Sequence, residues 1–456
     1  MVPSVRYVHP QKRRTFSRRK IIQACFGGAS AAVIASPGNS NILEAAEVDQ
    51  HSGQKSLAPA DDQFLEELEH ANFLFFWEQA DPHTGLVKDR TRVNGVGKGP
   101  APKEIVASIA ATGFGLTALC IGHKRGYVPL SSVGARVLAT LEFLSKKMPT
   151  HRGFFYHWAN IGTGERIWDA EVSSIDTAIL LCGVLTCREY FRHPEIRRLA
   201  DLVFDRVDWS WVAEDTSLLS HGWTPEIGFL PYRWDYYSEL IIMYLLGMGS
   251  SSHPLDQTAW SAWKRTTFEY AGKRYVGSYA PLFVHQYPQA WFDLRGKRDH
   301  YADYFKNSQI CTEVHRQFCL DLAGRFRDYS DDLWGITASD SQHGYVVRGG
   351  PPEIGPIDGT VVPSATGGSL PFLADATLRV LKNIKNSYGE RIWSRYGFVN
   401  AFNPLKNWYD TDVVGIDTGI TMLMAENLRT GFVWNTFMRS REARRGMQRA
   451  GFQKYS

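Results

Sequence analysis

The sequence predicts an all-α protein, an (α/α)6 toroid in which a ring of helical hairpins carries long pocket-forming loops. Three observations lead there. The 456 residues are 44% hydrophobic, enough for a large core. Apolar runs at helical spacing recur along the chain, about eleven or twelve of them. Strand-like alternation is confined to short pieces such as FFYHWA (Phe154 to Ala159) and GYVVRGG (Gly344 to Gly350). Length alone suggests about three domains, but one ring of hairpins would use nearly the whole chain, so residues 61–456 are expected to form a single domain.

Residues 1–46 read as a leader. A basic stretch ending SRRKIIQ (Ser17 to Gln23) precedes the small and apolar run ACFGGASAAVIAS (Ala24 to Ser36), then Pro and Gly. This resembles a twin-arginine export signal, with Ile22 and Gln23 where the pattern favours Leu and Lys. A basic tail followed by a short helix is the plainer alternative. The apolar run falls far below the roughly 20 residues that cross a bilayer, so no stable membrane span is expected once the signal is removed. Cleavage near Ala45-Ala46 would leave residues 47–60 as a polar linker, and the protein is expected in the periplasm or secreted.

The leader also explains the charge. The whole chain has 51 Lys and Arg against 47 Asp and Glu; without residues 1–46 it has 44 against 46. A nucleic-acid partner therefore loses its main support. Removing Cys25 leaves Cys120, Cys182, Cys187, Cys311 and Cys319, each inside an apolar helical pattern and read as a buried free thiol. Their spacing matches no zinc pattern, and no metal or cofactor is expected.

The helices follow in order. DDQFLEELEHANFLFFWEQA (Asp61 to Ala80) opens on an Asp cap and stops at Asp81-Pro82. The GVGKG stretch after it runs into Pro100-Ala101-Pro102 and so reads as turn residues, since a phosphate loop leads into a helix. Four long apolar helices share a Ser- or Gly-rich approach, starting at Val106, Val172, Tyr236 and Val413; the second and fourth both carry Ile-Asp-Thr. Further helical patterns cover Val133 to Met148, His193 to Val207, Ser308 to Phe326 and Leu373 to Gly389.

Acid and aromatic side chains gather in the loops before these helices. WDAEVSSIDT holds Asp169, Glu171 and Asp176. HGWTPEIGFLPYRWDYYSE holds Glu226 and Glu239 among Trp223, Arg233, Trp234 and Tyr237. DLWGITASDSQHGY holds Asp340, Gln342 and His343, and GFVNAFNPLKNWYDTDVVGIDT holds Asp410 and Asp417. Aromatic rings stack on sugar faces, carboxylates bind hydroxyls, and two carboxyls can do the acid and base work of glycoside hydrolysis. A proton donor needs a raised pKa, which an apolar surround supplies. Glu239, just before LIIMYLL, suits that role best. Plainer readings stand beside each: helix capping for Asp176 and Asp417, solvated loop acids for Asp169 and Asp410, an ion pair with Arg233 for Glu226, core packing for Trp223, Trp234 and Trp291, and ion-paired scaffolding for Arg295 in FDLRGKRDHYADYFKNS.

PLFVHQYPQAWFDLRGKRDHYADYFKNS, LWGITASDSQHGYVVRGGPP, DGTVVPSATGGSLPF and WYDTDVVGIDTGITMLMAEN together resemble the glycoamylase-like family, over about Phe64 to Arg445. That family includes the bacterial endo-β-1,2-glucanases of glycoside hydrolase family 144 and the glucan-processing domain of cyclic β-1,2-glucan synthases. The resemblance implies the toroid, a pocket for β-linked glucan, and hydrolysis with inversion. It makes Glu239 the general acid, and Asp169, Glu171, Asp176 and Asp417 base or substrate-positioning groups. The expected protein is an exported, monomeric hydrolase of β-1,2-glucan, with Asp417 or Asp176 as base. Two rivals stay open: a transglycosylase of the same fold, and a non-catalytic glucan-binding protein.

Overall fold

A computed structural model describes residues 44–45, 57–93 and 105–455. All but Glu44 and Ala45 of the expected export signal, most of the expected linker, and the GVGKG stretch lie outside them. The described residues fall within one compact unit, Asn41–Ser456. They are mostly helical, with strands of two to five residues. The helices are α1 (Pro59–Glu78), α2 (Ile109–Lys124), α3 (Leu130–Lys146), α4 (Ser174–Tyr190), α5 (Pro194–Asp205), α6 (Trp209–Ala213), α7 (Ile241–Gly249) and α8 (Ala259–Ala262). Then come α9 (Tyr287–Trp291), α10 (Tyr304–Asp321), α11 (Pro363–Gly367), α12 (Ala374–Tyr388), α13 (Gly415–Arg429), α14 (Phe432–Phe437) and α15 (Arg441–Arg449).

Two kinds of helix alternate in burial. α2 is buried from Ile109 to Gly122 and α7 along its whole length, as their apolar composition on every side requires. α3, α5, α12 and α15 bury one stripe and turn charged residues to water. The fully buried helices pack on one another: α13 on α2, α2 on α4, α4 on α7, with α9 touching α7 and α13. α1 covers α2 and α13, and α15 covers α7. Where α2 crosses α4 the backbones nearly touch, since a Cβ on Gly183 would meet the Gly113 carbonyl oxygen at 2.1 Å. Only glycine fits there.

Short strands lead into three of the buried helices and tie their N-terminal ends together. Val106–Ser108 precedes α2 and pairs with Trp158–Asn160; Val172–Ser173 precedes α4 and pairs with Gly222–Thr224; Asp412–Val414 precedes α13 and pairs with Arg90–Arg92. Single bridges, Lys88 to Ala107 and Tyr156 to Val172, link these pairs. The acid-rich segments of the sequence thus converge on one end of the buried helices.

Local details differ from expectation. α1 begins at Pro59, capped by no side chain, and the Asp61 and Asp62 N–H groups donate to the Ala58 carbonyl, so Asp61 is a first-turn acid rather than the cap. Tyr236 to Leu240 stay outside α7, because the Tyr237 N–H donates to the Lys264 carbonyl and Tyr236 bridges Lys264. The five cysteines among the described residues are buried and free, with Cys120 and Cys187 Sγ atoms 3.7 Å apart between α2 and α4. Among the described residues no helix is long and apolar enough to cross a membrane.

Candidate active site

Glu239 stands two residues before α7, next in the chain to the buried Leu240 and Ile241 and two residues after the buried Tyr237. Burial pushes its carboxyl up to about 7, its own backbone N–H pulls the other way, and the Asp176 charge adds to the rise. A carboxyl with this value is protonated at mildly acidic to neutral pH, as a proton donor must be.

Asp417 lies in the first turn of α13 but is no cap: that helix has no side-chain cap. Instead Ser364 donates its hydroxyl to Oδ1 at 3.0 Å and Asn400 donates its amide to Oδ2 at 2.5 Å. Burial raises this carboxyl to about 7, the two donors restrain the rise, and the Asp340 charge adds to it. Two neutral donors favour the ionised form, and an anion of that basicity is a stronger base than an ordinary carboxylate. The Tyr287 hydroxyl joins the two sites. Burial raises its pKa, followed by the charges of Asp417, Tyr345, Glu239 and Asp176, so all four groups lie in its electrostatic neighbourhood.

Asp176 occupies the third position of α4 in a reciprocal cap. Its N–H donates to Ser173 Oγ at 3.2 Å, and that hydroxyl donates to its Oδ2 at 2.6 Å. The same oxygen lies 3.6 Å from His157 Nε2, whose other ring nitrogen is 3.0 Å from Glu171 Oε1. Burial would depress His157, but Asp176 and then Glu171 lift it to about 9, so it is an imidazolium held between two carboxylates. Asp176 is thereby both capping residue and ion-pair partner.

A second acid cluster borders Asp417. Arg90 reaches Asp89 at 2.8 Å, Asp340 at 2.5 Å and Asp412 at 3.7 Å. Asp410 accepts the Thr411 and Asp412 N–H groups, and burial followed by the Asp340 charge raises it to about 7. Oxygens of Asp340, Asp410 and Asp412 lie within 4.8 Å of one another, a donor set suited to a hard divalent cation, and the Arg90 guanidinium supplies positive charge there. Tyr345 is 54% exposed, while burial and then the charges of Asp417 and Asp340 raise its hydroxyl, which places its phenolic end in the field of these carboxylates.

The other residues expected in the site have these surroundings. Trp291 has no accessible surface; its indole N–H donates to Thr117 Oγ1 and its ring packs on Phe114, so it is core and offers no face to a sugar. Tyr237 is likewise core, 3.1 Å from His285 Nδ1. Arg295 pairs with Asp293 and lies over Trp434, which is scaffolding. Trp223 stacks on His151, ring centroids 3.9 Å apart. Glu226 pairs with Arg166 through two bonds, at 2.6 and 2.9 Å, and not with Arg233, which pairs with Glu214. Trp234 stacks on His221 and donates to Ser174 Oγ. Gln342 and His343 are exposed in the turn closed by Ser341 and Gly344, and Asp169 is exposed on a left-handed backbone. Missed by sequence reading were His157, Arg90, Tyr287, Tyr345, Ser364 and Asn400. The Asp89-Arg90 doublet and the His in FFYHWA were their faint traces.

The glycoamylase family model matches residues 231–441, which contain Glu239, Asp340, Asp410 and Asp417. That stretch of the chain is of the glycoamylase family. The fold is similar to that of an endo-β-1,2-glucanase from Chitinophaga pinensis in complex with sophorotriose and glucose, with a TM-score of 0.80 and 27% identity over 87% of this chain and 99% of that one. It is also similar to a β-1,2-glucanase from Parabacteroides distasonis, with a TM-score of 0.79 and 27% identity over 86% of this chain and 60% of that one. A curated relative from the same organism, an exo β-1,2-glucooligosaccharide sophorohydrolase acting at the non-reducing end, is 27% identical over 428 residues. The match takes in 85% of this chain, which spans 58% of that relative's length.

Proposed function

We propose that this chain is an exported hydrolase of β-1,2-linked glucan, working with inversion at the N-terminal ends of the inner helices of an (α/α)6 toroid. α2, α4, α7, α9, α11 and α13 make that inner ring. The carrying observation is the unlike pair of raised carboxyls, Glu239 without a side-chain donor among the described residues and Asp417 with two, both within the charge field of Tyr287. Relatives that act on β-1,2-glucan support the substrate.

Glu239 protonates the glycosidic oxygen as the C–O bond breaks and positive charge builds on the sugar ring. Asp417 takes a proton from the water that attacks the opposite face, and each product leaves with its atoms balanced: one gains the proton, the other the hydroxyl. Asp176, fixed by His157 and Ser173, adds to the rise of the Glu239 carboxyl and so discourages its early proton loss. The test is hydrolysis of linear β-1,2-glucan by the purified protein and by its Glu239→Gln and Asp417→Asn variants. Both variants should lose at least about a hundredfold in rate, the usual worth of acid or base catalysis. A variant with full activity removes its residue from the mechanism, and longer or cyclic glucans without new reducing ends would point to transglycosylation.

A further inference from the structure

We propose that Trp168 is the platform of a glucan-binding subsite beside the catalytic carboxylates, stacking on a sugar ring a few units from the scissile bond. This rests on the hydrolase reading above and extends it to a named binding residue. Trp168 is 59% exposed, whereas Trp209, Trp291, Trp334 and Trp434 are fully buried. A tryptophan left in water forgoes a large burial gain, so its position requires a cause.

The backbone sharpens the point. Trp168 and Asp169 both take left-handed conformations, with φ of 57° and 55°. Two consecutive non-glycine residues there are strained, and such strain persists where surrounding structure holds it and clusters at ligand sites. The surrounding loop is pinned on every side. The Ile167 N–H donates to the Trp158 carbonyl, and the Ala170 N–H to the Ile167 carbonyl. Arg166 Nε donates to the Ala170 carbonyl while its guanidinium grips Glu226 and lies over Tyr156. An aromatic face presented on a fixed loop costs little conformational entropy when a ligand covers it.

Its location ties it to the chemistry. The Trp168 ring meets Trp158 edge-on, with centroids 6.2 Å apart, and Trp158 stacks on His157 at 4.0 Å. His157 in turn holds Asp176 and Glu171. A glucan chain leaving the Glu239 and Asp176 side of the site along this aromatic row meets Trp168, with Asp169 alongside to accept from sugar hydroxyls. The apolar face of a β-linked glucosyl ring is the partner that an exposed indole beside a carboxylate suits.

The test is Trp168→Ala and Trp168→Phe, each compared with the parent on long linear β-1,2-glucan and on the shortest oligosaccharide the parent cleaves. Trp168→Ala should raise KM about tenfold on the long chain, leave kcat/KM on the shortest substrate within twofold, and leave the melting temperature unchanged. Trp168→Phe should recover most of the loss. An unchanged KM on long glucan overturns the subsite. So does a loss that falls equally on the shortest substrate, which would mark Trp168 as structural. A binding titration without turnover, following tryptophan fluorescence on adding linear β-1,2-glucan, keeps the two readings apart. Weaker binding by Trp168→Ala supports the subsite even if the parent hydrolyses nothing, and equal binding overturns it whatever the enzyme does.

Discussion

Replacing Glu239 by Gln should make the protein more stable and almost inactive, with a stability gain that is absent below about pH 4.5 and complete above about pH 7. Folding raises this carboxyl from 4.5 to about 7. Between those values the folded state keeps a proton that the unfolded chain has released, so the parent loses stability as pH rises from the lower value through the higher. The shift corresponds to about 3 kcal/mol, and water on the open side of the carboxyl reduces it to about 2 to 3 kcal/mol. Gln keeps the shape and cannot ionise. With an unfolding entropy of about 2.1 cal/mol/K per residue over roughly 400 ordered residues, the gain is about 3 °C in melting temperature. Differential scanning calorimetry at pH 4.5 and 8.5 reads it: the variant should match the parent at the lower pH and melt about 3 °C higher at the upper. The same melting difference at both pH values would refute the raised pKa, and with it the argument that Glu239 is held protonated for donation. Residual activity should be about a hundredfold lower or less, the stability and activity effects having one cause.

The pH dependence of kcat/KM should be a narrow bell centred near 7, falling on the acid side as Asp417 gains a proton and on the alkaline side as Glu239 loses one. Coincident values give a width at half-height of about 1.5 pH units. Asp176→Asn removes the charge that helps raise Glu239, so it should move the alkaline limb to lower pH in the same pH–rate series and leave the acid limb nearly in place. Trp291→Ala should cost about 3 to 5 kcal/mol in denaturant unfolding, as a buried aromatic does, while KM for glucan stays within twofold; a large KM effect in a stable variant would return Trp291 to the binding site. Changing Arg18 and Arg19 together to Lys should block export, seen as retention of the full-length chain in the cytoplasmic fraction, whereas unchanged export would discard the twin-arginine reading.

The helical class and the leading acid are legible in sequence because both depend on local pattern. Glu239 is visible as an acid next to an uninterrupted apolar run, and burial is the main cause of its raised carboxyl. Asp176 and Asp417 look alike in the shared Ile-Asp-Thr motif, yet one serves in a reciprocal cap and the other accepts from Ser364 and Asn400. That difference rests on residues far along the chain, which no local pattern contains. Trp291 and Arg295 follow their plainer readings, core packing and ion-paired scaffolding, and Tyr237 joins the core, for a related reason. An aromatic or an arginine beside charged neighbours reads the same whether its ring faces a sugar or packs into the core, and tertiary packing decides. His157 and Arg90 gain their importance from carboxylates brought together by short backbone pairings, the Tyr156 to Val172 bridge with the His157 N–H on the Glu171 carbonyl, and Arg90–Arg92 with Asp412–Val414. The sequence shows those strands only as brief alternations.

Proton NMR of the purified protein acting on linear β-1,2-glucan tests the central claim most directly. New reducing ends should appear first as the α-anomer, the product of inversion, and should be absent with Glu239→Gln. New ends appearing as the β-anomer would contradict inversion, and no new reducing ends from any β-1,2-glucan would contradict the proposed hydrolase itself.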